Sequence, residues 1–195
     1  MELETVYTKE YFEHHAFYKK TYMDLAKMFH ETLKPRDVLD FGCGAGFMMG
    51  YFCHMIPTHG VDGSSSVLEV SHVSNMIDIR DFRKPFDLGR TWDLVISIEV
   101  AEHIEEEYAN VFIDNLTKHG DRILMTSAPV GQGGTSHVNC QPKEYWIQKM
   151  QDRGFVYDEK ITTSIAKKSW DIISENRCPI HYLVNNFSYY TREIV

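Results

Sequence analysis

The chain has 195 residues, of which 43% are hydrophobic, 13% aromatic and 25% charged. This length and composition fit one compact domain, residues 1–195, and exclude a disordered, collagen-like or low-complexity chain. The formal net charge of −8 disfavours broad binding to nucleic acid, because an acidic surface repels phosphate backbones.

Three further features indicate the compartment. The longest apolar stretch, residues 47–56, is broken by Gly50 and His54 and is too short to cross a membrane. The amino terminus carries acids where a secretory signal has a basic start and an apolar run. Four scattered cysteines, without a Cys-x-x-Cys pair, do not resemble a disulfide framework or a zinc site. We therefore expect a cytoplasmic protein with free thiols and no membrane partner.

Helical and extended patterns alternate along the chain. Apolar and aromatic residues at helical spacing over residues 7–32 predict one or two amphipathic helices that end before Pro35. The patterns that follow predict strands over residues 37–41, 58–61, 73–79, 92–98 and 122–127, and helices over 47–55, 67–70, 104–116 and 142–153. Two later, more aromatic strands are predicted over residues 155–160 and 182–190.

This alternation predicts an α/β fold. Parallel strands need crossover connections, so the sheet should be mostly parallel, doubly wound and covered by helices on both faces. The ligand of such a sheet binds beyond the carboxyl ends of the strands. The residues that follow each strand are therefore the candidates for function.

A glycine-rich loop, Gly42-Cys-Gly-Ala-Gly46, follows the first predicted strand and precedes a helix. Such loops let the backbone approach a nucleotide, and the helix start offers free N–H groups. Phe47 stands where the dinucleotide fingerprint has its third glycine, and Asp40 at the end of the strand would repel a pyrophosphate. Both features oppose a nicotinamide-dependent oxidoreductase. They favour a nucleoside with a cationic amino-acid tail and no phosphate.

Acids also end the next two predicted strands. Asp62, about twenty residues past the loop, is suited to accept hydrogen bonds from ribose hydroxyls. Asp78 could accept from an adenine amino group, with the backbone of Ile79 beside the ring, although Asp81 is close enough to compete.

These motifs resemble the class I S-adenosylmethionine-dependent methyltransferases. The resemblance rests on Val38-Leu-Asp-Phe-Gly-Cys-Gly-Ala-Gly46, Asp62, Asp78 and Trp92-Asp-Leu-Val-Ile-Ser-Ile98. It implies a Rossmann-like, seven-stranded sheet with its last strand antiparallel, and N-terminal helices (1–34) that cover the cofactor on a core of residues 35–195. The cofactor is then S-adenosylmethionine, and the residues expected to bind it are Asp40, Gly42, Cys43, Gly44, Asp62, Gly63, Asp78, Ile79 and Ile98.

An acid-and-histidine cluster follows the fourth predicted strand. If a helix begins near Glu99, then Glu99, Glu102 and His103 share one of its faces and form half of a divalent-metal site. His137, in the loop after the neighbouring fifth strand, could supply a fourth ligand. The alternative is that these acids only complement the dipole of a helix start, as the acids at 105–107 would.

The cluster resembles a narrower group of metal-dependent O-methyltransferases that carry Glu-x-x-Glu-His after the fourth strand. These are the ubiquinone-pathway enzymes and the small-RNA 3′-terminal ribose 2′-O-methyltransferases, the latter with a histidine after the fifth strand. The resemblance implies that Glu99, Glu102, His103 and His137 bind Mg²⁺ or Mn²⁺, with His103 or His137 as a general base.

The expected reaction is therefore O-methylation of a small hydroxylated acceptor, such as a sugar, a glycan unit or a catechol-like diol. Methylation of an RNA terminal ribose is the alternative within the enzyme class, disfavoured by the acidity of the chain. A non-catalytic protein that only binds S-adenosylmethionine is a third possibility.

Overall fold

The computed structural model describes residues 3–193 of the chain. Its strands are β1 (Val38–Phe41), β2 (Thr58–Asp62), β3 (Ile77–Ile79), β4 (Trp92–Ser97), β5 (Gly120–Thr126), β6 (Phe155–Tyr157) and β7 (Phe187–Arg192). Its α-helices are α1 (Leu3–Val6), α2 (Lys9–His14), α3 (Lys19–Leu33), α4 (Phe47–Phe52), α5 (Val67–Val70), α6 (Ala109–His119), α7 (Lys143–Gln151), α8 (Glu159–Glu175) and α9 (Leu183–Asn186). No helix in this part of the chain has the length and apolar character needed to span a membrane.

The strands form a single seven-stranded sheet in the order β3-β2-β1-β4-β5-β7-β6. Strands β1 to β5 pair in parallel, and β7 runs antiparallel between β5 and β6. This confirms the predicted Rossmann-like, mostly parallel sheet with an antiparallel last strand. The order in which strands are added to the sheet reverses between β1 and β4. The crevice for a ligand therefore opens at the carboxyl ends of these two strands.

Two apolar cores bury the faces of the sheet. On one face, Phe112 of α6 and Trp146 of α7 pack with Leu39 and Val95 of the strands. On the other face, helices α3, α4 and α8 pack against alternate strand residues such as Val38 and Leu94. Val38 and Leu39 are neighbours in β1, and Leu94 and Val95 are neighbours in β4. Successive strand side chains point to opposite faces, and all four are fully buried because helices cover both faces.

Three predicted elements are corrected in the C-terminal and central segments. The third strand is shorter than residues 73–79, because residues 74–76 form a 3₁₀ turn before β3. The strand predicted over 155–160 ends at Tyr157, since Asp158 caps the long, unpredicted helix α8 by accepting a hydrogen bond from the Ile161 N–H at 2.8 Å. The strand predicted over 182–190 is helical until Asn186 and extended only from Phe187.

The N-terminal helices have a divided role. Leu25 and Phe29 on α3 are fully buried in the core. The residues before them, on α2, on the 3₁₀ turn His15–Tyr18 and at the start of α3, lie over the carboxyl ends of the strands and line the cavity described next.

Candidate active site

A cavity of about 370 Å³ opens at the carboxyl ends of β1, β2 and β4. Its walls are the glycine loop, the segment after β2, the segment after β4, the 129–141 loop and the N-terminal helices. The volume is within the range of small-molecule sites. The place is the one that the order of the strands predicts.

The glycine loop forms the floor of the cavity. Gly42 has φ +87° and Gly46 has φ +75°, a backbone region that favours glycine. A Cβ atom at Gly42 would also collide with the side chain of Val100. The loop therefore brings bare backbone against the cavity, and α4 begins immediately after it at Phe47.

Two acids occupy the cavity wall at the ends of β1 and β2. Asp40 is only 4% exposed, and within residues 3–193 it has no hydrogen-bond or ion-pair partner. Burial, and then the charge of Asp62, raises the pKa of Asp40 to about 7. Asp62 accepts hydrogen bonds from the N–H groups of Gly44 at 2.8 Å and Ser64 at 3.0 Å, yet burial raises its pKa to about 6. A site of this kind favours a cationic ligand group beside Asp40.

Gly42, Cys43, Gly44, Gly63 and Ile98 all line the cavity, as the sequence predicts for cofactor-binding residues. The thiol of Cys43 is buried, and burial raises its pKa. It therefore acts as a small apolar group at this edge.

Asp78 and Ile79 are not among the described residues that line the cavity. Asp78 pairs in the sheet with Val61, and Ile79 pairs with Asp62. Paired residues of parallel strands point to the same face, so Asp78 lies on the opposite face from Asp62. It forms an ion pair with Arg80 at 3.0 Å.

Asp81 takes the position in the cavity wall that the sequence assigns to Asp78. It accepts hydrogen bonds from the Arg83 N–H at 3.1 Å and from the Arg83 Nε at 2.9 Å. Burial acts to raise the pKa of Asp81, but the hydrogen bonds from Arg83 and Lys84 outweigh it and lower the pKa. Phe82 follows in the same wall and offers an aromatic surface.

The cluster after β4 is not on a helix, which corrects the predicted geometry. Glu99 has φ +58°, a left-handed conformation that ends the strand sharply. Residues 101–103 then form a 3₁₀ turn, and the predicted helix over 104–116 begins only at Ala109. Even so, ligand atoms of Glu102, His103 and His137 lie within 4.8 Å of one another.

Glu99 is outside this group of three but is held beside it. Its N–H donates to Thr126 Oγ1 at 2.7 Å, and the same hydroxyl donates back to Glu99 Oε1 at 2.9 Å. Burial raises the pKa of the Glu99 carboxyl. Thr126 at the end of β5 therefore fixes this carboxylate at the cavity wall.

Glu102 is fully buried, and neither of its carboxylate oxygens has a hydrogen-bond partner among the described residues. Burial raises its pKa, and the negative charge of Glu99 raises it further. A buried carboxylate without partners is costly unless a proton or a cation neutralises it. The imidazoles of His103 and His137 beside it offer nitrogen ligands for such a cation.

Both histidines have the same arrangement of ring nitrogens. His103 Nδ1 donates to the Ser136 carbonyl at 3.2 Å, and His137 Nδ1 donates to the Gln132 carbonyl at 3.3 Å. A carbonyl can only accept, so Nδ1 carries the proton in these contacts, and Nε2 is the ring nitrogen of each histidine that is available to a ligand. Burial lowers the pKa of His103 to about 4, which keeps its ring neutral near pH 7. Backbone carbonyls orient metal-binding histidines in this way.

The 129–141 loop brings His137 to the cluster from a distant part of the sequence. The Glu102 carbonyl accepts hydrogen bonds from the N–H groups of Val138 and Asn139, both at 3.0 Å. A Cβ atom at Gly134 would collide with the His137 ring, so an alanine there would displace this ring.

Sequence reasoning left some cavity residues without a firm role. Asp81 and Phe82 could have been identified from the register of β3, but the sequence alone does not give this register. Tyr7 is a further example: its Oη is buried and has no hydrogen-bond partner among residues 3–193, and its ring centroid lies 5.8 Å from that of His103. The aromatic stripe over residues 7–32 is equally typical of core packing, so it could not mark Tyr7.

Comparisons with known proteins bear on the fold. No protein-family model matches the sequence, and no curated protein is similar to it. Among solved structures, magnesium protoporphyrin IX methyltransferase from Synechocystis PCC 6803, crystallised with bound SAH, is 18% identical with a TM-score of 0.59, over 74% of this chain and 76% of that one. The methyltransferase domain of bacterial CtHen1 is 14% identical with a TM-score of 0.60, over 91% of this chain and 100% of that one. The YcgJ protein from Bacillus subtilis is 13% identical with a TM-score of 0.61, over 88% of this chain and 99% of that one.

The chain shares the fold of these three structures, two of which are methyltransferases. This confirms the fold class that the sequence predicts, and at these identities it shows the fold alone.

Proposed function

We propose that the chain is an S-adenosylmethionine-dependent methyltransferase that methylates a hydroxyl group with the help of a divalent cation. The observation that carries the proposal is the buried carboxylate of Glu102, whose two unpartnered oxygens lie beside two imidazoles with free Nε2 atoms. This donor set fits a cation, and its two histidines line the same cavity as the acids suited to the cofactor, with Glu102 buried behind them.

The residues at the ends of β1 and β2 fit S-adenosylmethionine. Asp40, buried and without a partner, would hold the ammonium group of the amino-acid tail. Each oxygen of Asp62 accepts one backbone hydrogen bond and keeps a second lone pair for a ribose hydroxyl. We assign the adenine amino group to Asp81 in place of Asp78, with Phe82 against the ring. The absence of a phosphate in this cofactor agrees with the acidity of the site.

Glu102, His103 and His137 would hold the cation, with Glu99 as a fourth ligand positioned by Thr126. Mg²⁺ and Mn²⁺ are the candidates, and the two imidazoles favour Mn²⁺ over Mg²⁺, which prefers oxygen ligands. When bound, such a cation lowers the pKa of a coordinated hydroxyl and fixes the position of the acceptor. Two adjacent hydroxyls would chelate it well.

The residues of the chain would then act mainly by orientation. Asp40 and Asp62 would hold the cofactor, and the acid-and-histidine cluster would hold the acceptor, so that the two reacting atoms meet. The histidines have one free nitrogen each, and that nitrogen cannot both bind a cation and accept a proton. In the metal-bound enzyme they are ligands, whereas a metal-free reaction would use His103 or His137 as the general base.

We propose a small hydroxylated acceptor, such as a sugar, a glycan unit or a catechol-like diol. The Glu-x-x-Glu-His pattern together with His137 also supports methylation of an RNA 3′-terminal ribose, which is the second candidate. The net charge of −8 disfavours this second candidate.

The test combines three measurements on one preparation. We expect S-adenosylhomocysteine to bind by calorimetry, Mn²⁺ to bind in proportion to protein by metal analysis, and methyl transfer from labelled S-adenosylmethionine to an acceptor from a panel of sugars, catechols and oligoribonucleotides. Failure to bind S-adenosylhomocysteine would refute the assignment. Binding without transfer to any acceptor, with or without the cation, would favour a non-catalytic cofactor-binding protein.

A further inference from the structure

The charges that face the cavity are strongly one-sided. Five carboxyl groups line it, those of Asp40, Asp62, Asp81, Glu99 and Glu105. Among the lining residues in the described part of the chain, Arg83 is the only Lys or Arg. Its guanidinium is engaged by Asp81 at 2.9 Å and by Glu105 at 3.8 Å. The cavity therefore offers no uncommitted cationic side chain for an anionic group on a ligand.

One side of the cavity is lined by tyrosines instead. We call this region the tyrosine arm and define it by Tyr18, Tyr22, Ile180 and Tyr182, all of which line the cavity. The arm joins the N-terminal helices to the segment before α9.

The tyrosine arm adjoins the acid-and-histidine cluster at Glu99. Burial raises the pKa of Tyr22, and the Glu99 carboxylate is the next cause. The same two causes, in the same order, raise the pKa of Tyr182. Tyr18, Tyr22 and Ile98 pack against the same buried cluster as Ile180, and Ile98 directly precedes Glu99, so the tyrosine arm and Glu99 line adjoining parts of the cavity.

We propose that the methyl acceptor binds in the tyrosine arm as an uncharged ring with adjacent hydroxyls, and that the cavity rejects the same ring when it carries a phosphate. This inference rests on the proposed function and narrows its substrate class.

Two physical arguments support it. Aromatic side chains bind the face of a ring by apolar contact and stacking, and they leave its hydroxyls free at the edge. The two charges of the proposed cation are balanced by Glu99 and Glu102. The only Lys or Arg among the described lining residues, Arg83, is paired with Asp81 and Glu105, so the charge of a phosphate on the acceptor would be left unbalanced. The shared chemistry is an uncharged vicinal diol, which an aromatic ring or a sugar ring can supply.

Matched pairs of ligands test the charge argument. The protein is saturated with S-adenosylhomocysteine and Mn²⁺, so that the cofactor and cation sites are filled, and is then titrated calorimetrically with catechol and with adenosine. Adenosine 5′-monophosphate and a catechol phosphonate are the anionic counterparts. We expect at least one uncharged diol to bind, and its anionic counterpart to bind about tenfold more weakly or worse.

Two results would overturn the inference while leaving the proposed function intact. One is an anionic counterpart, or a short oligoribonucleotide, that binds as tightly as the uncharged ligand or more tightly. The other is a loaded protein that binds neither uncharged diol. A protein that does not bind S-adenosylhomocysteine at all would instead contradict the proposed function and, with it, this inference.

A pair of variants tests the location. Tyr182 is 45% exposed, so Tyr182→Ala should fold normally, and Trp170 is a similarly exposed aromatic, 52%, outside the cavity wall. We expect Tyr182→Ala to weaken binding of the uncharged diol about tenfold and to leave S-adenosylhomocysteine affinity unchanged, because aromatic contacts of this kind contribute about 1 kcal/mol or more. Trp170→Ala should change neither affinity. Equal losses in the two variants, or no loss in Tyr182→Ala, would place the acceptor elsewhere.

Discussion

The cofactor side of the cavity and the acid-and-histidine side are built in different ways. At the ends of β1 and β2, Asp62 is hydrogen-bonded to backbone N–H groups only a few residues away along the chain or across one strand. At the ends of β4 and β5, the carboxylate of Glu102 has no hydrogen-bond partner among the described residues and lies beside His137, which is 35 positions later in the sequence. The first side is assembled locally, whereas the second depends on how a loop is seated.

This difference predicts how substitutions on each side of the cavity should act. Substitutions on the cofactor side should change affinity for one ligand and little else. Substitutions on the cluster side should change cation binding and turnover together, because one ligand set carries both.

The largest effect is expected for Glu102→Gln. The amide keeps the shape of the side chain but loses the charge that a divalent cation needs. We expect methyl transfer to fall about 100-fold or more, while S-adenosylhomocysteine binding in calorimetry stays within about twofold. Full activity in this variant would show that Glu102 has no role in the reaction. It would also contradict the proposed separation between a cofactor side and a cation side of the cavity.

Gly134→Ala tests the seating of the loop, with Gly133→Ala as its control. A Cβ at Gly134 collides with the His137 ring, whereas a Cβ at Gly133 meets nothing within 4 Å. We expect Gly134→Ala to weaken Mn²⁺ binding about 10- to 100-fold, the range seen when groups that orient metal ligands are disturbed. Gly133→Ala should bind Mn²⁺ normally in the same titration, and equal affinities in the two variants would contradict the contact.

Asp40→Asn tests the cofactor side. Hydrogen bonds to charged groups contribute about 1.5–3 kcal/mol, so S-adenosylhomocysteine affinity should fall about 10- to 100-fold. The pKa of Asp40 in the free protein is about 7, and an ammonium group binds its ionised form. Affinity should therefore rise as the pH is raised from 6 to 8, with proton release on binding below pH 7.

The Asp40→Asn variant should lose most of this pH dependence. Calorimetry in buffers of different ionisation enthalpy measures the proton release directly. A variant that keeps the wild-type pH profile would show that another group titrates.

The smallest effect distinguishes Asp81 from Asp78. Asp81→Asn replaces a carboxylate acceptor for the adenine amino group by an amide oxygen that still accepts, so the loss should be only about 0.5–1.5 kcal/mol and S-adenosylhomocysteine should bind about two- to tenfold more weakly. Asp78→Asn should have no effect, because its side chain lies on the other face of the sheet. If Asp78→Asn weakens S-adenosylhomocysteine binding and Asp81→Asn does not, the adenine amino group would be assigned to Asp78, as the sequence predicts.

Much of the fold could be predicted because it follows from local patterns. Alternating strands and helices gave the parallel sheet, and the glycine loop with Asp40 placed the cavity. Helix α8 was not predicted, since only Thr162, Ile165, Ser169 and Ile173 are buried and two of them are polar. A stripe of that composition has no clear apolar period.

The candidate site could be predicted in its membership more than in its geometry. His137 and Glu102 were identified from their positions after neighbouring strands, which a parallel sheet brings together. The supposed helix at Glu99 was wrong, because a left-handed residue cannot be recognised from a glutamate in the sequence. Asp78 was expected to reach the ligand because it ends a strand, but the sequence does not show which face of β3 a side chain is on, and in the structure Asp78 lies on the opposite face from Asp62.

Glu102 contributes to the molecule through its backbone as well as its side chain. Its carbonyl accepts the N–H groups of both Val138 and Asn139, next to the histidine that reaches the same carboxylate. A cation bound to the Glu102 carboxylate would therefore also restrain Val138 and Asn139, which are hydrogen-bonded to the carbonyl of the same residue. We therefore expect the protection of residues 137–139 from hydrogen exchange to increase in proportion to the occupancy of the proposed cation site.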